Sequence, residues 1–510
     1  MKKSIIGLFI FISLLFFSCG KDFLNVSPKD NLTGNNYWKS AEDVDKFLVG
    51  IYKTFRLATM GTPIGGSANH RIFFPATGDF RCAPIMRTSQ SSGASRDYLT
   101  HLRNNNINAL FSSDYSFFGF TAIPKWNDFF KMVQSANIVF FEVDNMEEGL
   151  ISPAAKARYK AEAVFLRNLA YFFMVRLYGD VPYYTEAYHS KAIGRTNMIT
   201  VLKNCLADMQ EHYQNLPWTY DDPSLIGNRA MRGAAIVLMM HMNMWIAGFT
   251  VEDKAPYYNA VVELGNEIRF QNDNAYELLP LERTKEIFKG RTKEGLFEIV
   301  QSLNYGETFS ISAPYSDYFL RYPNKNVAIQ RSYLYYERNF MEELYPLGVQ
   351  DKRKEFWYDE HIYDTSGLMQ CLKFLNVFNE EGEDYNPDDN QIVFRYVDAI
   401  LLQAEALAEL DRDAEAREVI NIVRARAEAP LAVSQTGDEL KDFIWWERVR
   451  ELIGEGHFYY DLVRTRKVIN SKYTSAAMSV EAFNKGGWTW PIDPSALNNN
   501  PYMTLNTYWN

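Results

Sequence analysis

The chain has few cysteines. Four occur in 510 residues, and Cys82, Cys205 and Cys371 lie far apart, without a CxxC pair or a histidine at zinc-ligand spacing. This pattern allows at most one disulfide bond and indicates no metal framework. Cys205 lies in an apolar segment and is predicted to be a small core residue. We therefore expect packing to stabilise the fold, and the sequence predicts neither a metal nor a cofactor.

Positive charge is also scarce. The chain has 53 Lys and Arg against 63 Asp and Glu, which gives a formal net charge of -10. Nucleic-acid binding draws most of its affinity from Lys and Arg contacts to phosphates, so this acidic balance argues against that class of partner. An acidic surface is not attracted to an anionic membrane either, and any membrane attachment has to come from another feature.

Long apolar runs are missing after the first 18 residues. The nearest approach, from Ala234 to Phe249, is interrupted by His241 and Asn243. A helix that spans a bilayer needs roughly 20 consecutive apolar residues. The sequence therefore does not predict a multi-span membrane protein.

The N-terminus has the pattern of an export signal. Lys2 and Lys3 precede an apolar run over residues 5–17, which a small residue and Cys19 follow. The run is too short for a transmembrane helix, and its flanks are those of a cleavable signal peptide. We predict a signal peptide over residues 1–18 and a mature chain over 19–510, with a signal anchor or a buried helix as the alternatives. Losing the two lysines would take the net charge from -10 to -12.

Common catalytic motifs are absent: the chain has no GxSxG, GxxxxGK[ST] or HExxH. Glu447 and Glu451 lie four residues apart, as an acid and base pair for glycoside hydrolysis would. Arg448 and Arg450 interleave with them, and a neighbouring arginine lowers the pKa of a carboxyl, whereas a general acid needs a raised pKa. We therefore predict that these glutamates form structural ion pairs and that the protein is not an enzyme.

Two weaker patterns for metal binding have simpler interpretations. His457 and Asp461 are four residues apart, but two ligands do not make a site, and we predict a capping or core histidine. The acidic segment NEEGEDYNPDDN lacks the ligand order of an EF-hand, which favours a solvated acidic loop.

Helical signals dominate the rest of the chain. Ser152 as N-cap, Pro153 at the first helical position and Gly179 past the end predict one long helix with a buried face. The segment from Phe394 to Pro430 predicts two helices joined near residues 411–413. Two small residues twelve apart within it, Ala404 and Ala416, match a tetratricopeptide repeat, although Gln403 replaces its usual leucine.

The predicted fold class is mainly α: a tetratricopeptide-like helical-hairpin framework with large irregular insertions and a few short strands. We place the framework at about residues 37–55, 124–301 and 391–470. The insertions, about 56–123 and 302–390, are rich in Gly, Ser and Pro and also in aromatic residues. Loops of this length are typically functional or disordered, and the aromatic content argues against disorder.

Several segments in order resemble the SusD/RagB family of nutrient-binding outer-membrane lipoproteins. They are CGKDFLNVSPKD, YWKSAEDVDKFLVGIY, WNDFFKMVQSANIVF, AEAVFLRNLAYFFMVRLYGDVP, FRYVDAILLQAEAL, NIVRARA, WWERVRELIGEGHFYYDLVRTRK and WPIDPSALNNNPYMTLN. Two positions depart from the family pattern: Phe458 stands where Arg is usual, and Asp493 stands where Pro is usual.

The resemblance implies a function. Such a protein carries a lipid on Cys19, lies at the outer membrane facing the exterior, and binds oligosaccharides or polysaccharides. It hands them to a SusC-type TonB-dependent transporter, with a C-terminal docking tail at about residues 488–510. A peptide-binding RagB-like protein and a surface-anchored glycoside hydrolase are the alternatives.

A sugar binder needs flat aromatic rings flanked by polar side chains, because sugars present apolar C–H faces and hydroxyl rims. We expect the two insertions to converge on one site, since each contains both rings and charges. The predicted ligand-binding residues are Phe73, Phe74, Asp79, Arg81 and Tyr98 in the first insertion and Tyr305, Tyr315, Tyr318, Tyr333 and Trp357 in the second.

Overall fold

The computed structural model describes residues 37–61, 72–91, 96–302, 304, 315–325, 327–374 and 389–509. The predicted signal peptide, Cys19 and Tyr305 lie outside these residues. The described part is mainly α-helical with short strands, which confirms the predicted fold class. None of its helices combines the length and the apolar character needed to cross a membrane.

The α-helices of the described residues follow the chain order. They are α1 (Ala41–Met60), α2 (Tyr98–Arg103), α3 (Asn127–Asn145), α4 (Pro153–Tyr178), α5 (Met198–His212), α6 (Arg232–Phe249), α7 (Ala255–Phe270), α8 (Thr284–Lys289), α9 (Arg338–Leu344), α10 (Arg353–Trp357), α11 (Tyr396–Glu409), α12 (Asp413–Arg426), α13 (Gly437–Leu452), α14 (Phe458–Arg464) and α15 (Val480–Asn484).

Four short strands pair in two antiparallel ribbons. The strands are β1 (Ile85–Arg87), β2 (Gly295–Ile299), β3 (Leu334–Tyr336) and β4 (Gln391–Arg395). β1 pairs with β3, with Met86 opposite Tyr335, and β2 pairs with β4. The first ribbon therefore joins the two predicted insertions, whereas the second lies within the helical framework.

Helix α4 has the limits that its capping residues predict. The Ser152 side chain accepts a hydrogen bond from the Ala155 N–H, and Gly179 ends the helix at a positive φ of 74°. The helix is buried all round from Ala161 to Tyr178, not on one face as the sequence pattern suggests. A helix enclosed by neighbours on every side is expected to lie in the centre of a core.

Two charged residues on α4, Glu162 and Arg167, are paired with oppositely charged residues of neighbouring segments. Both oxygens of Glu162 accept hydrogen bonds from Arg229, at 2.5 and 2.8 Å. Arg167 donates to both oxygens of Asp208, at 2.8 and 2.7 Å. These pairs explain how charged residues remain in a helix that the surrounding elements cover completely.

The predicted helical hairpin is confirmed as α11 and α12. Ala404 and Ala416 are both fully buried, and the two helices pack together. Gln403 also lies in the core, where its amide donates to Asn266 Oδ1 at 2.7 Å and its carbonyl accepts from Arg269 at 2.9 Å. The side chain fills the space beside Gly265, where a Cβ would lie 2.6 Å from the Gln403 Cδ. A polar residue is therefore accommodated at a position that usually holds leucine.

Glu447 and Glu451 on α13 anchor a buried ion network, which confirms that these glutamates form ion pairs. Of the two arginines that interleave with them in the sequence, Arg450 contacts Glu447, whereas Arg448 pairs with Asp398 and Asp461. Arg353 contacts Glu447 at 2.8 Å and Glu451 at 3.1 Å. Arg395 contacts Glu451 at 3.2 Å. The wider network also includes Glu294, Asp351, Lys373, Arg424, Arg426, Arg450 and Glu455.

The network holds its glutamates ionised. Burial alone would raise the pKa of Glu447, but Arg353 and Arg424 lower this pKa to about 2. The pKa of Glu451 is likewise lowered to about 2, against the effect of burial, by Arg426, Arg395 and Arg353. Because these arginines come from α10, β4 and α12, the network joins the second insertion to the framework.

His457 is a core histidine, as predicted. The rings of His457 and His241 stack with their centres 5.6 Å apart. Burial lowers the pKa of His457 to about 4. His241 Nε2 lies 2.5 Å from Asp398 Oδ2, and Arg448 donates to Asp398 Oδ1 at 2.8 Å. Both oxygens of Asp398 are therefore already bonded by protein groups.

The ion network predicts a loss of stability in acid. The folded-state pKa of both glutamates lies below the unfolded value of 4.5, so their contribution is complete above pH 4.5 and is lost as the pH falls towards 2. We expect Glu451→Gln to cost about 3 to 5 kcal/mol of unfolding free energy at pH 7, because buried arginines lose a partner.

Urea-induced unfolding between pH 2 and pH 7 measures both effects. Glu439→Gln, at an exposed position on the same helix, is the matched control and should leave the unfolding free energy nearly unchanged. Equal stability of the two variants at pH 7 would contradict the assigned role of the network.

Candidate functional site

The two predicted insertions pack against each other. The Tyr98 and Tyr318 hydroxyls lie 3.0 Å apart, and Thr88 Oγ1 donates to the Ser332 carbonyl at 2.5 Å. The β1–β3 ribbon continues this contact with main-chain pairing. We call this region the insertion junction and define it by seven residues: Arg96, Tyr98, Tyr315, Asp317, Tyr318, Lys325 and Tyr333.

Cations surround the half-buried ring at the rim of the junction. The Arg96 guanidinium lies 3.8 Å from the centre of the Tyr333 ring, and Lys325 Nζ lies 4.6 Å from it. Lys325 also pairs with Asp317 at 2.6 Å, and burial lowers the pKa of this lysine. The junction therefore combines an aromatic ring with donors and an acceptor, the groups that polar ring-shaped ligands require.

Three predicted residues form the interior of the junction. Tyr98, Tyr315 and Tyr318 are buried, and the Phe80 ring packs against Tyr315 and Tyr318. The Tyr315 hydroxyl lies 2.8 Å from the Tyr336 hydroxyl. These rings hold the two insertions together beneath the half-buried Tyr333.

Four predicted residues instead dock the first insertion on the framework. Phe73 and Phe74 are buried against Phe173 of α4. Asp79 Oδ2 accepts a hydrogen bond from the Gly456 N–H at 3.0 Å, and burial raises the pKa of Asp79 well above its usual range. The fourth residue, Arg81, is also buried, and its guanidinium lies 4.5 Å from the centre of the Tyr459 ring.

A close backbone approach fixes this docked segment. Gly78 lies directly against Gly456, and a Cβ on Gly78 would come within 2.2 Å of the Gly456 carbonyl oxygen. No side chain fits at such a distance without a backbone shift. The segments at residues 78–80 and 455–457 thus contact each other through their glycines.

Trp357 lies away from the junction, in α10. Its Nε1 donates to Thr284 Oγ1 at 2.9 Å, and Lys373 Nζ lies 4.5 Å from the ring centre. Tyr305 lies outside the described residues. Of the nine predicted residues that are described, only Tyr333 retains substantial exposure, so the ligand-binding role of the set stays a prediction.

An exposed ring that the sequence reasoning missed lies in the same loop as Lys325. The Tyr322 side chain is 46% exposed. Next to it, Arg321 contacts Asp359 at 3.2 Å and Asn324 donates to Gln370 at 3.2 Å. The available signal was the segment RYPNKN, because proline and asparagine are typical of surface turns.

The sequence is similar to those of known proteins. A family model described as the SusD family matches residues 358–509, and another, described as starch-binding associating with outer membrane, matches residues 81–241. SusD-like protein P38 of Formosa agariphila is 25% identical, over 99% of this chain and 99% of its own length.

Solved structures give the same result. A SusD homolog from Bacteroides thetaiotaomicron is 41% identical, with a TM-score of 0.83 over 93% of this chain and 100% of that chain. A laminarin-binding SusD-like protein is 20% identical, with a TM-score of 0.66 over 92% of this chain and 100% of its own, which shows the fold alone. The fold of the described residues is therefore that of a SusD-like protein. The chain belongs to the SusD/RagB family.

The hydrogen bond between the two insertions predicts an energetic coupling. Tyr98→Phe and Tyr318→Phe should each cost about 1 to 3 kcal/mol, because each leaves a buried hydroxyl with one partner fewer. The double variant should lose less than the sum of the two single variants. Urea unfolding of all four proteins measures the coupling. Tyr335→Phe, on the outward side of β3, is the control, and strictly additive losses would contradict the coupling.

Proposed function

We propose that this chain binds oligosaccharides or polysaccharides at the cell surface and delivers them to a SusC-type TonB-dependent outer-membrane transporter. The observation that carries the proposal is a set of aromatic and polar side chains at the surface beside the insertion junction, which we call the rim. It comprises half-buried Tyr333 with Arg96 and Lys325 over its ring, and exposed Tyr322 in the loop that also carries Arg321, Asn324 and Lys325. Family membership and a solved relative described as laminarin-binding support the same class of ligand.

The rim residues suit the surface of a sugar. The Tyr322 ring offers an apolar face, while Arg321, Asn324 and Asp359 offer donors and acceptors to hydroxyls. Covering roughly 60 to 100 Å² of one ring contributes about 1.5 to 2.5 kcal/mol. Two such rings and a few hydrogen bonds, less the entropy of association, correspond to roughly micromolar to millimolar affinity. Binding of this strength allows capture followed by release.

The predicted residues take two roles in this proposal. Tyr333 contacts the ligand together with Tyr322. Tyr305 lies outside the described residues and stays a predicted ligand residue. Among the buried residues, Tyr98, Tyr315 and Tyr318 hold the two insertions together, and Phe73, Phe74, Asp79 and Arg81 fix the first insertion to the framework. Trp357 lies away from the junction and takes no part in the proposed site. Rings fixed before binding lose little conformational entropy when the sugar arrives.

The proposed activity is binding without catalysis. A glycoside hydrolase of the usual type needs one carboxyl with a raised pKa to protonate the leaving group and a second that is ionised. The pKa of both Glu447 and Glu451 is about 2, and both are enclosed by arginines. This pair is therefore unsuited to proton donation at neutral pH.

Membrane attachment in this proposal comes from lipid on Cys19. An acidic chain gains little from anionic headgroups, so an anchor of more than one acyl chain is the physical means of stable attachment. Lys21 and Asp22 after the cysteine fit display on the exterior. The helical framework and the C-terminal segment at about residues 488–510 face the transporter.

Ligand binding should depend on the rim. We expect Tyr322→Ala and Tyr333→Ala each to weaken binding about tenfold, and both together about a hundredfold, because each removes roughly 1.4 kcal/mol or more of ring contact. Calorimetry against a panel of polysaccharides and peptides, with chromatography of the products, measures this. Phe270→Ala, at a 71% exposed ring on α7, is the matched control.

Each outcome of the panel has a distinct meaning. Polysaccharide binding that both tyrosine variants reduce, with no cleavage products, supports the proposal. Binding of peptides but no polysaccharide would assign the chain to the peptide-binding alternative, and released oligosaccharides would assign it to the hydrolases.

Anchoring should depend on Cys19. We expect the wild-type protein in the outer-membrane fraction and Cys19→Ser protein to lose its lipid-dependent attachment, measured by fractionation and by mass spectrometry of the N-terminus. Cys205→Ser, at a buried cysteine, controls for a general effect of cysteine loss. An unprocessed Cys19→Ser chain that still fractionates with membranes would instead indicate a signal anchor.

A further inference from the structure

A cavity lies where the first insertion meets the C-terminal segment. The cavity has a volume of about 310 Å³, within the usual range for small-ligand sites. Its walls include Phe111 and Thr121 from the insertion and Pro491, Asp493 and Trp509 from the C-terminal segment. None of the residues that line it belongs to the insertion junction.

The walls of this cavity are held in place by hydrogen bonds. Trp509 Nε1 donates to Thr489 Oγ1 at 3.0 Å, and the indole packs edge-on against Tyr508 at 4.8 Å. On the opposite side, the Asp493 N–H donates to the Pro124 carbonyl at 3.1 Å, and Asp493 Oδ1 accepts a hydrogen bond from the Ser495 N–H at 2.9 Å. The indole and the carboxylate are thus positioned before any ligand binds.

The C-terminal segment itself is bound firmly to the framework. Asn506 is buried and donates to the Tyr178 carbonyl at 3.1 Å and to Thr489 Oγ1 at 2.8 Å. The Trp490 N–H donates to the Leu177 carbonyl at 2.6 Å. These bonds tie the segment to the end of α4, so the cavity has two anchored walls.

The lining selects a particular chemistry. Phe111, the prolines and Trp509 give apolar surface, while Asn108 and Thr121 give polar groups at the edge. Asp493 is the one ionisable residue among those that line the cavity, and the hydrogen bond from Ser495 lowers its pKa, so it is a carboxylate at neutral pH. A carboxylate accepts hydroxyl hydrogens and repels another carboxylate.

We propose that this cavity binds one neutral sugar residue, stacked on Trp509 with hydroxyls directed to Asp493. The inference rests on the proposed glycan-binding function and adds a site that the junction residues do not provide. Asp493 replaces the proline that is usual in the family, so the acceptor is a property of this chain. Two separate sugar sites on one protein would strengthen the binding of a polymer more than that of a short oligosaccharide.

Binding in the cavity can be measured from the fluorine NMR signal of Trp509 itself. Protein labelled with 5-fluorotryptophan has ten tryptophan signals, and Trp509→Phe identifies the one that belongs to Trp509. The probes are the methyl glycosides of D-glucose, D-galactose, D-mannose and N-acetyl-D-glucosamine, with methyl D-glucuronide as the acidic counterpart. We expect at least one neutral glycoside to shift the Trp509 signal in a saturable way, at about tenfold lower concentration than the glucuronide.

Two variants test whether the response comes from the cavity. Thr121→Phe fills the cavity from an exposed position and should abolish the shift. Tyr508→Ala changes the aromatic neighbour of Trp509 but no residue that lines the cavity, and it should keep the response. Loss of the response in both variants, or in neither, would overturn the assignment to the cavity.

The failure of this inference is distinguishable from failure of the proposed function. If a polysaccharide binds wild-type protein while no neutral glycoside moves the Trp509 signal, the second site is excluded and the proposed function stands. If the Trp509 signal responds but no polysaccharide binds, the cavity is a sugar site and the proposed function fails. An equal response to the glucuronide would overturn the assignment to neutral sugars.

Discussion

The buried ion network around Glu447 and Glu451 is the constraint on which the rest of the structure depends. Ion pairs in a core are costly to form, because both charges lose water, and they are costly to break once one partner is missing. Their main effect is therefore on position rather than on total stability. Arg353 brings the second insertion to α13, and Arg395 brings β4 to the same helix. The irregular part of the chain is fixed to the helical part at this point.

Rigid attachment has a direct effect on the candidate site. A long irregular insertion without a core of its own would sample many conformations, and ordering it on binding would consume much of the interaction energy. Here the aromatic residues beneath the rim supply that core. Tyr98 and Tyr318 join the two insertions, and Phe73 joins the first of them to α4. The aromatic richness of these segments thus serves mostly to hold the loops in shape, which leaves few rings for a ligand.

This division explains what the sequence could and could not predict. The limits of α4 and the α11–α12 hairpin follow from local signals, namely caps and small residues. The ionised state of Glu447 follows from them only in part, because Arg450 is a local partner but Arg353 and Arg424, which lower its pKa more, come from distant segments. The exposure of single rings does not, because segments without regular structure have no periodicity that separates an inner from an outer face. Tyr98 is buried by contact with a residue 220 positions away. Tyr322 stays exposed in a turn whose neighbours also come from distant segments.

The contact between Gly78 and Gly456 shows that the attachment of the loops tolerates fewer amino-acid replacements than the surface positions do. Attachment of the first insertion depends on backbone meeting backbone, where any added side chain would collide with the opposite main chain. The rim and the cavity beside Trp509 depend on side chains that project from already fixed positions. If the rim and the cavity bind sugars as proposed, a change in ligand preference requires no change in how the loops are attached, only single replacements at the surface.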